Sequence, residues 1–250
     1  KQMSKPRILI ADCETSPNLA DVWGIWQQNI GLSQIRSVTS VISFAAKWHG
    51  EKNVFFHSDY HDGHKQMVKA AHKLLNDADI IVTYNGDSFD IKHFNREFIL
   101  AGLTPPSPVK SVDLLKTVRR QFKFTSNKLQ HIATQLDLGS KTQHTGHDLW
   151  VRCLEGDEKA WNLMRRYNKQ DVVLTEKLYD RLGPWIKDHP SYSLFTGEDH
   201  TCPRCGSSNI IKRGTAVTIT AAYQRYQCRD CGSWSKGKKQ IRGTELRGIK

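Results

Sequence analysis

Long apolar runs are missing from this chain. No stretch approaches the roughly 20 consecutive apolar residues of a membrane-spanning helix, and no secretory-signal core follows Lys1–Arg7. The expectation is a soluble, cytoplasmic protein with no membrane partner. Cysteine is too sparse and too unevenly placed for a disulfide framework. Cys13 and Cys153 stand alone, while Cys202, Cys205, Cys228 and Cys231 form two Cys-x-x-Cys pairs, a metal-type spacing. Acidic residues nearly vanish toward the C-terminus: residues 200–250 contain only Asp230 and Glu245 against eleven Lys and Arg, which accounts for most of the net charge of +12. So biased a segment reads as polyanion-binding, nucleic acid before membrane because it has no long amphipathic apolar face, with a merely solubilising tail as the alternative.

What is present centres on Ile8-Leu9-Ile10-Ala11-Asp12-Cys13-Glu14-Thr15. A strand-forming run ends there in two carboxylates one residue apart. The period of two puts Asp12 and Glu14 on one face of the strand end. Two like charges so close favour a hard divalent cation with oxygen ligands, the alternative being ordinary solvated acids.

Further along, residues 38–47 and 53–57 read as strands that continue an antiparallel meander, and Ser16–Arg36, with Trp23 and Trp26, reads as an ordered loop or short helix. Lys65–Asn76 has helical periodicity and residues 79–84 return as a buried strand, which together predict an α/β fold with a mixed sheet flanked by helices. That strand runs into Asn85-Gly86-Asp87-Ser88-Phe89-Asp90, placing Asp90 at a helix start just past a strand end. Val112–Phe122 and Lys128–Leu138 are predicted helices, and Gly139–His147 a polar loop. A final helix carries Tyr167 and Asp171, which at i and i+4 project from one face.

Asp12-x-Glu14, Asn85-x-x-x-Phe89-Asp90 and Tyr167-x-x-x-Asp171 resemble, in order and spacing, the three motifs of the DEDDy branch of 3′–5′ exonucleases, within the RNase H-like fold. The likeness is greatest to the proofreading domains of family B DNA polymerases and spans roughly residues 7–185. No polymerase domain follows in this sequence, so the resemblance implies a stand-alone nuclease of the phage or bacterial kind. It implies Asp12, Glu14, Asp90 and Asp171 as ligands of two Mg²⁺ or Mn²⁺ ions, and Tyr167 as the group that orients the attacking water. The backbone of Thr15 and the side chain of Asn85 would hold the terminal nucleotide, with Phe89 wedged or stacked near its base. Asp87 rivals Asp90 for the second motif, and Phe89-Asp90 matches the family's Phe-Asp pair. Trp23 and Trp26 are either a stacking platform for the substrate or core packing for their own loop.

Cys202-Pro203-Arg204-Cys205-Gly206 and Cys228-Arg229-Asp230-Cys231-Gly232 read as two knuckles of a closed four-thiolate Zn²⁺ site, structural because no position is left for water. With Ile210–Gly214, Val217–Thr220 and the approach to Tyr226-Gln227 as hairpin strands, the module resembles a zinc ribbon, particularly those of insertion-sequence transposases. A protein-docking role is the alternative to nucleic-acid binding. The expected division is an exonuclease domain at 1–187, a linker at 188–200, a ribbon at 201–236 and a basic tail at 237–250. The expected activity is metal-dependent 3′–5′ exonucleolysis by a monomer, with DNA favoured over RNA by the family likeness. The rivals are a structure-specific endonuclease of the same fold and a nucleic-acid-binding adaptor on a nuclease scaffold.

Overall fold

The computed structural model describes residues 4–140 and 146–248, so part of the expected polar loop at 139–147 lies outside the described residues. The chain divides into two compact units, Arg7–Leu178 and Tyr179–Lys250 with the first few residues. The division falls inside a helix, nine residues before the expected domain end at 187.

In the larger unit, β1 (Ile8–Thr15) is followed by the short β2 (Leu19–Ala20) and β3 (Ile35–Ser37), then β4 (Val41–Trp48) and β5 (Phe55–Ser58). Helices α1 (Asp59–Asp62) and α2 (His64–Asn76) lead to β6 (Ile80–Thr83), α3 (Asp90–Leu100), β7 (Lys110–Asp113), α4 (Leu114–Gln121), α5 (Leu129–Gln135), α6 (His147–Leu154) and α7 (Glu158–Leu182). Five strands form one sheet in the order β5-β4-β1-β6-β7. The meander β1, β4, β5 is antiparallel, as expected, and β6 and β7 join parallel to β1. The segment 16–36, read as an ordered loop or short helix, holds a single 3-10 turn, but β2 and β3 also pair as a small antiparallel ribbon.

The helix expected at Val112–Phe122 begins two residues late. Lys110–Asp113 is an edge strand, and Asp113 ends it by capping α4, accepting the Leu115 N–H at 3.0 Å. Lys, Ser and Asp are weak strand formers, so pairing with β6 overrides local propensity here. β4 and β6, buried along their whole length, build the core with β1, which is buried as far as Ala11 and again at Cys13. On one face Leu9, Ala11, Cys13, Phe44 and Ile81 pack with Met67, Val68, Phe94 and Phe98 of α2 and α3. On the other, Ile42 meets Leu149 and Cys153 of α6 and Trp161, Met164 and Tyr167 of α7. Each fully buried aliphatic or aromatic side chain contributes about 1.5–3 kcal/mol. A nearly buried ion pair between Lys47 of β4 and Glu176 fixes α7 against the sheet, and Glu176 also accepts the Gly50 N–H at 2.9 Å. Removing one partner of such a pair costs about 3–5 kcal/mol, because the other charge is stranded.

The smaller unit holds the end of α7, α8 (Ser193–Thr196) and an antiparallel sheet in the order β10-β9-β8, from β8 (Ile210–Val217), β9 (Ala221–Cys228) and β10 (Trp234–Gly243). The expected linker at 188–200 is built structure: Tyr192 is buried, stacks on His189 at 6.0 Å, and donates its N–H to the Pro203 carbonyl. The expected tail is likewise ordered as far as Gly243, because β10 continues its pairing with β9 to Gly243↔Ala221. A sequence in which Lys and Arg alternate with Gly and Gln gives no apolar period to mark that strand.

Candidate active site and cysteine centre

Alternation along β1 decides which side chains meet. Leu9, Ala11 and Cys13 enter the core against α2 and α3, so Asp12 and Glu14 face the side on which α7 lies. There Asp12, Glu14 and Asp171 each offer a carboxylate oxygen, all within 4.8 Å of one another. Asp171 is only 2% exposed and one helical turn beyond Tyr167, which is also buried. The spacing of Tyr167 and Asp171 thus does what the sequence predicts, bringing both to one place.

Asp90 stands outside that trio, next to it. As the first residue of α3 it is 2% exposed, and its Oδ1 accepts the N–H of Cys13, the residue between the two β1 acids, at 2.8 Å. Burial raises its pKa to about 6, against the lowering effect of the Cys13 N–H. The rival Asp87 is engaged elsewhere, accepting from Lys116 and Ser111.

Tyr167 is held protonated. Burial, then the charges of Glu14, Asp171 and Asp12, and a hydrogen bond to Asp171 all push its pKa far above the ordinary value of 10.0. Burial, followed by the charges of Asp90 and Asp12, likewise keeps the Cys13 thiol neutral. The ring of Trp150 on α6 lies edge-on to Tyr167, with centroids 6.0 Å apart.

Asn168 is a site residue that motif spacing does not reveal. It is 0% exposed, and its Nδ2 donates to Asp12 Oδ2 at 2.7 Å and to the Asp12 carbonyl at 3.2 Å, while its Oδ1 accepts from Ser43 Oγ at 3.3 Å. The carboxamide therefore fixes one Asp12 oxygen. His147 and Trp150 are also unforeseen: with Thr15, Ser16, Pro17 and Gly146 they line an open cavity of about 360 Å³ beside the end of β1. The one sequence signal for them would have been the i, i+3 spacing on α6.

The remaining expected substrate residues are more scattered. Asn85 adopts φ +73°, and its N–H is accepted by Asp113 at 2.9 Å. Gly86 follows because a Cβ there would lie 2.2 Å from Thr83 Oγ1. Phe89 is partly exposed and lies edge-on to His93, at 4.5 Å. Trp23 and Trp26 are 100% and 81% exposed, which removes the core-packing alternative.

In the smaller unit the sulfurs of Cys202, Cys205, Cys228 and Cys231 also gather within 4.8 Å. Gly206 and Gly232 take φ of +74° and +77° and return their N–H groups to the Cys202 and Cys228 carbonyls, closing both knuckles. The Sγ separations are 3.6 Å for Cys202–Cys231 and 3.8 Å for Cys205–Cys228. Tetrahedral Zn²⁺ with Zn–S bonds of about 2.3 Å needs sulfurs about 3.8 Å apart, so the four thiols fit it. Arg204, inside the first knuckle, lies over the Tyr179 ring at 4.2 Å and donates to its carbonyl at 3.3 Å.

Among solved structures, the chain is similar to the family B DNA polymerase of the hyperthermophilic archaeon Pyrobaculum calidifontis, with a TM-score of 0.56 and 14% identity over 90% of this chain. It spans only 33% of that polymerase's length, so the likeness is one of fold. Comparison with curated proteins gives no match. The family profile for RNase H superfamily domains matches residues 30–183, from beyond β1 to the turn after α7. That match takes in more than half of the sequence and the helix carrying Tyr167 and Asp171, and the chain belongs to the RNase H superfamily.

Proposed function

We propose that this protein is a metal-dependent 3′–5′ exonuclease of the DEDDy type, with DNA its favoured substrate and a zinc ribbon that holds the nucleic acid. The observation that carries this reading is the meeting of Asp12, Glu14 and Asp171 at the end of β1, within reach of a tyrosine held neutral. An all-oxygen set of three converging carboxylates suits hard divalent ions, and their mutual repulsion is relieved by such ions. Asp12, Glu14 and Asp171, with Asp90 beside them, would hold two Mg²⁺ or Mn²⁺ ions. The chemistry those ions supply when bound is Lewis-acid activation of water and neutralisation of charge on the phosphate.

The chain's own residues do the rest. Tyr167 keeps its proton on Oη, so it orients the nucleophilic water by hydrogen bonding and does not act as its base. Asn168 fixes the Asp12 carboxylate. The cavity between Thr15 and Trp150 receives the terminal nucleoside, with His147 at its rim. The solved structure of similar fold is a family B DNA polymerase, the class whose proofreading domains the three motifs resemble, and this supports DNA as substrate. The four cysteines support a structural Zn²⁺, and the basic segment around them supports nucleic acid as what the ribbon holds.

The test is cleavage of 5′-labelled single- and double-stranded DNA and RNA, and of a closed circle, with Mg²⁺, Mn²⁺ or EDTA. A metal-dependent ladder shortening from the 3′ end, with mononucleotides released and the circle intact, is expected. Oligonucleotides from the circle would replace this reading with the endonuclease, and no cleavage in any metal would replace it with the adaptor.

A further inference from the structure

We propose that one face of the β8-β9-β10 sheet is a platform for single-stranded nucleic acid, on which unpaired bases stack against Trp234 and Tyr223 while Arg213, Arg225 and Lys236 meet the phosphates. It rests on the reading of the ribbon as a nucleic-acid holder, and narrows that reading to one face and one kind of strand.

Register defines the face. Tyr223, Arg225 and Gln227 alternate onto one side of β9. Trp234 pairs with Gln227 and Lys236 with Arg225 across β10, so both join that side. Arg213 of β8 joins it as well, its Nη1 donating to Gln227 Oε1 at 2.9 Å. The opposite side of β9 carries Ala222 and Cys228, both buried.

Each ring on the face is flanked by cations. The guanidinium carbons of Arg225 and Arg213 lie 4.9 Å and 5.8 Å from the Trp234 centroid, and Lys236 Nζ lies 4.3 Å from that of Tyr223. Arg225 is splinted there, its Nε donating to the Arg213 carbonyl at 2.8 Å. Trp234 nevertheless remains 50% exposed.

Stacking rings bordered by guanidinium and ammonium groups match the two parts of a single strand, the flat base and the charged backbone. A duplex offers its phosphates but keeps its base faces stacked on one another, so it has no use for the rings. Charge complementarity points to a polyanion: the acid in the second knuckle, Asp230, is hydrogen-bonded to Ser207 and Asn209, and basic residues outnumber acidic ones eleven to two in residues 200–250.

The experiment is fluorescence anisotropy of the full chain with labelled oligo(dT) and with a blunt duplex of equal length, without added Mg²⁺ or Mn²⁺, over a range of salt. Trp234→Ala should weaken oligo(dT) binding about 5- to 150-fold with the salt slope unchanged, and Trp234→Phe should restore most of it. Lys236→Gln should flatten the slope by about 0.7. Duplex binding should change less than about twofold in Trp234→Ala. Zinc content reports whether the ribbon is intact, and if Trp234→Ala loses zinc, Tyr223→Leu carries the test. A zinc-loaded Trp234→Ala or Tyr223→Leu protein that binds oligo(dT) as the parent does, or that loses single strand and duplex alike, overturns the platform. Cleavage at saturating oligonucleotide with Mn²⁺ separates the two readings. Normal cleavage with Trp234-independent binding sinks the platform alone, whereas Trp234-dependent binding with no cleavage sinks the exonuclease alone.

Discussion

Replacing Asn168 by alanine is the most informative single change, because its consequences for stability and for activity can both be worked out from contacts. The substitution removes a charge-assisted hydrogen bond to Asp12 Oδ2 and a bond to the Asp12 carbonyl, and leaves the Ser43 hydroxyl, on a fully buried residue, without its acceptor. A hydrogen bond to a charged group is worth about 1.5–3 kcal/mol, and a stranded buried polar group costs about 1–3 kcal/mol. Asp12 is only half-buried and can recruit water, so the two do not simply add; a loss of about 2–4 kcal/mol is expected. Urea unfolding followed by far-UV circular dichroism reads this as a lower midpoint with an unchanged slope. The untethered Asp12 carboxylate should also bind metal less well, by about 10- to 100-fold in affinity or activity. Titration calorimetry with Mn²⁺ measures this independently of turnover. Ser43→Ala, which removes the weaker partner alone, should cost about 1 kcal/mol and leave metal affinity nearly intact. If Asn168→Ala moves neither the midpoint nor the Mn²⁺ isotherm, the carboxamide is not what positions Asp12.

Asp171→Asn should abolish cleavage of a labelled oligonucleotide while leaving the unfolding midpoint at or above the parent's, since it removes one of three mutually repelling charges; retained activity would refute its role. Tyr167→Phe should lower kcat with little change in Mn²⁺ affinity, because it deletes one hydrogen bond and no charge. His64 bonds Asp59 at 2.9 Å and Glu97 at 3.1 Å, and these partners outweigh burial to raise its pKa above 6.5. Its stabilisation is therefore full below pH 6.5 and lost as pH rises through the raised value; His64→Gln should flatten this part of a Tm-against-pH curve, and an unchanged curve would remove His64 as its source. Cys202→Ser should lose zinc by metal analysis and with it the order of β8–β10, since structural Zn²⁺ contributes about 10–16 kcal/mol on binding in small modules.

The parts of the site legible in the sequence are those whose geometry is local. Asp12 and Glu14 share a face because strands alternate, Tyr167 and Asp171 because helices repeat, and Cys202 and Cys205 because a knuckle needs two residues between its thiols. Asn168 was not legible because its partners, Asp12 and Ser43, lie 156 and 125 positions away, and an asparagine beside a motif tyrosine looks like any polar helix residue. β7 escaped for a related reason: Lys110-Ser111-Val112-Asp113 becomes a strand only through the neighbour it pairs with. The exposure of Trp23 and Trp26 is set by how the small β2-β3 ribbon turns its loop, which no periodicity encodes.

Helix α7 runs for 25 residues from Glu158 to Leu182, its start capped by Asp157 and its body pinned to β4 through Glu176. Between these fixed points it behaves as an indexing shaft. Each residue added or removed turns everything beyond it by about 100°. An insertion of one residue between Glu158 and Arg166 would carry Tyr167, Asn168 and Asp171 away from Asp12 together, although every one of them was still present. Length in this stretch is therefore heritable information in its own right: descendants of this sequence can exchange side chains along the outer face of α7, but between Glu158 and Glu176 they cannot gain or lose a residue and keep the site.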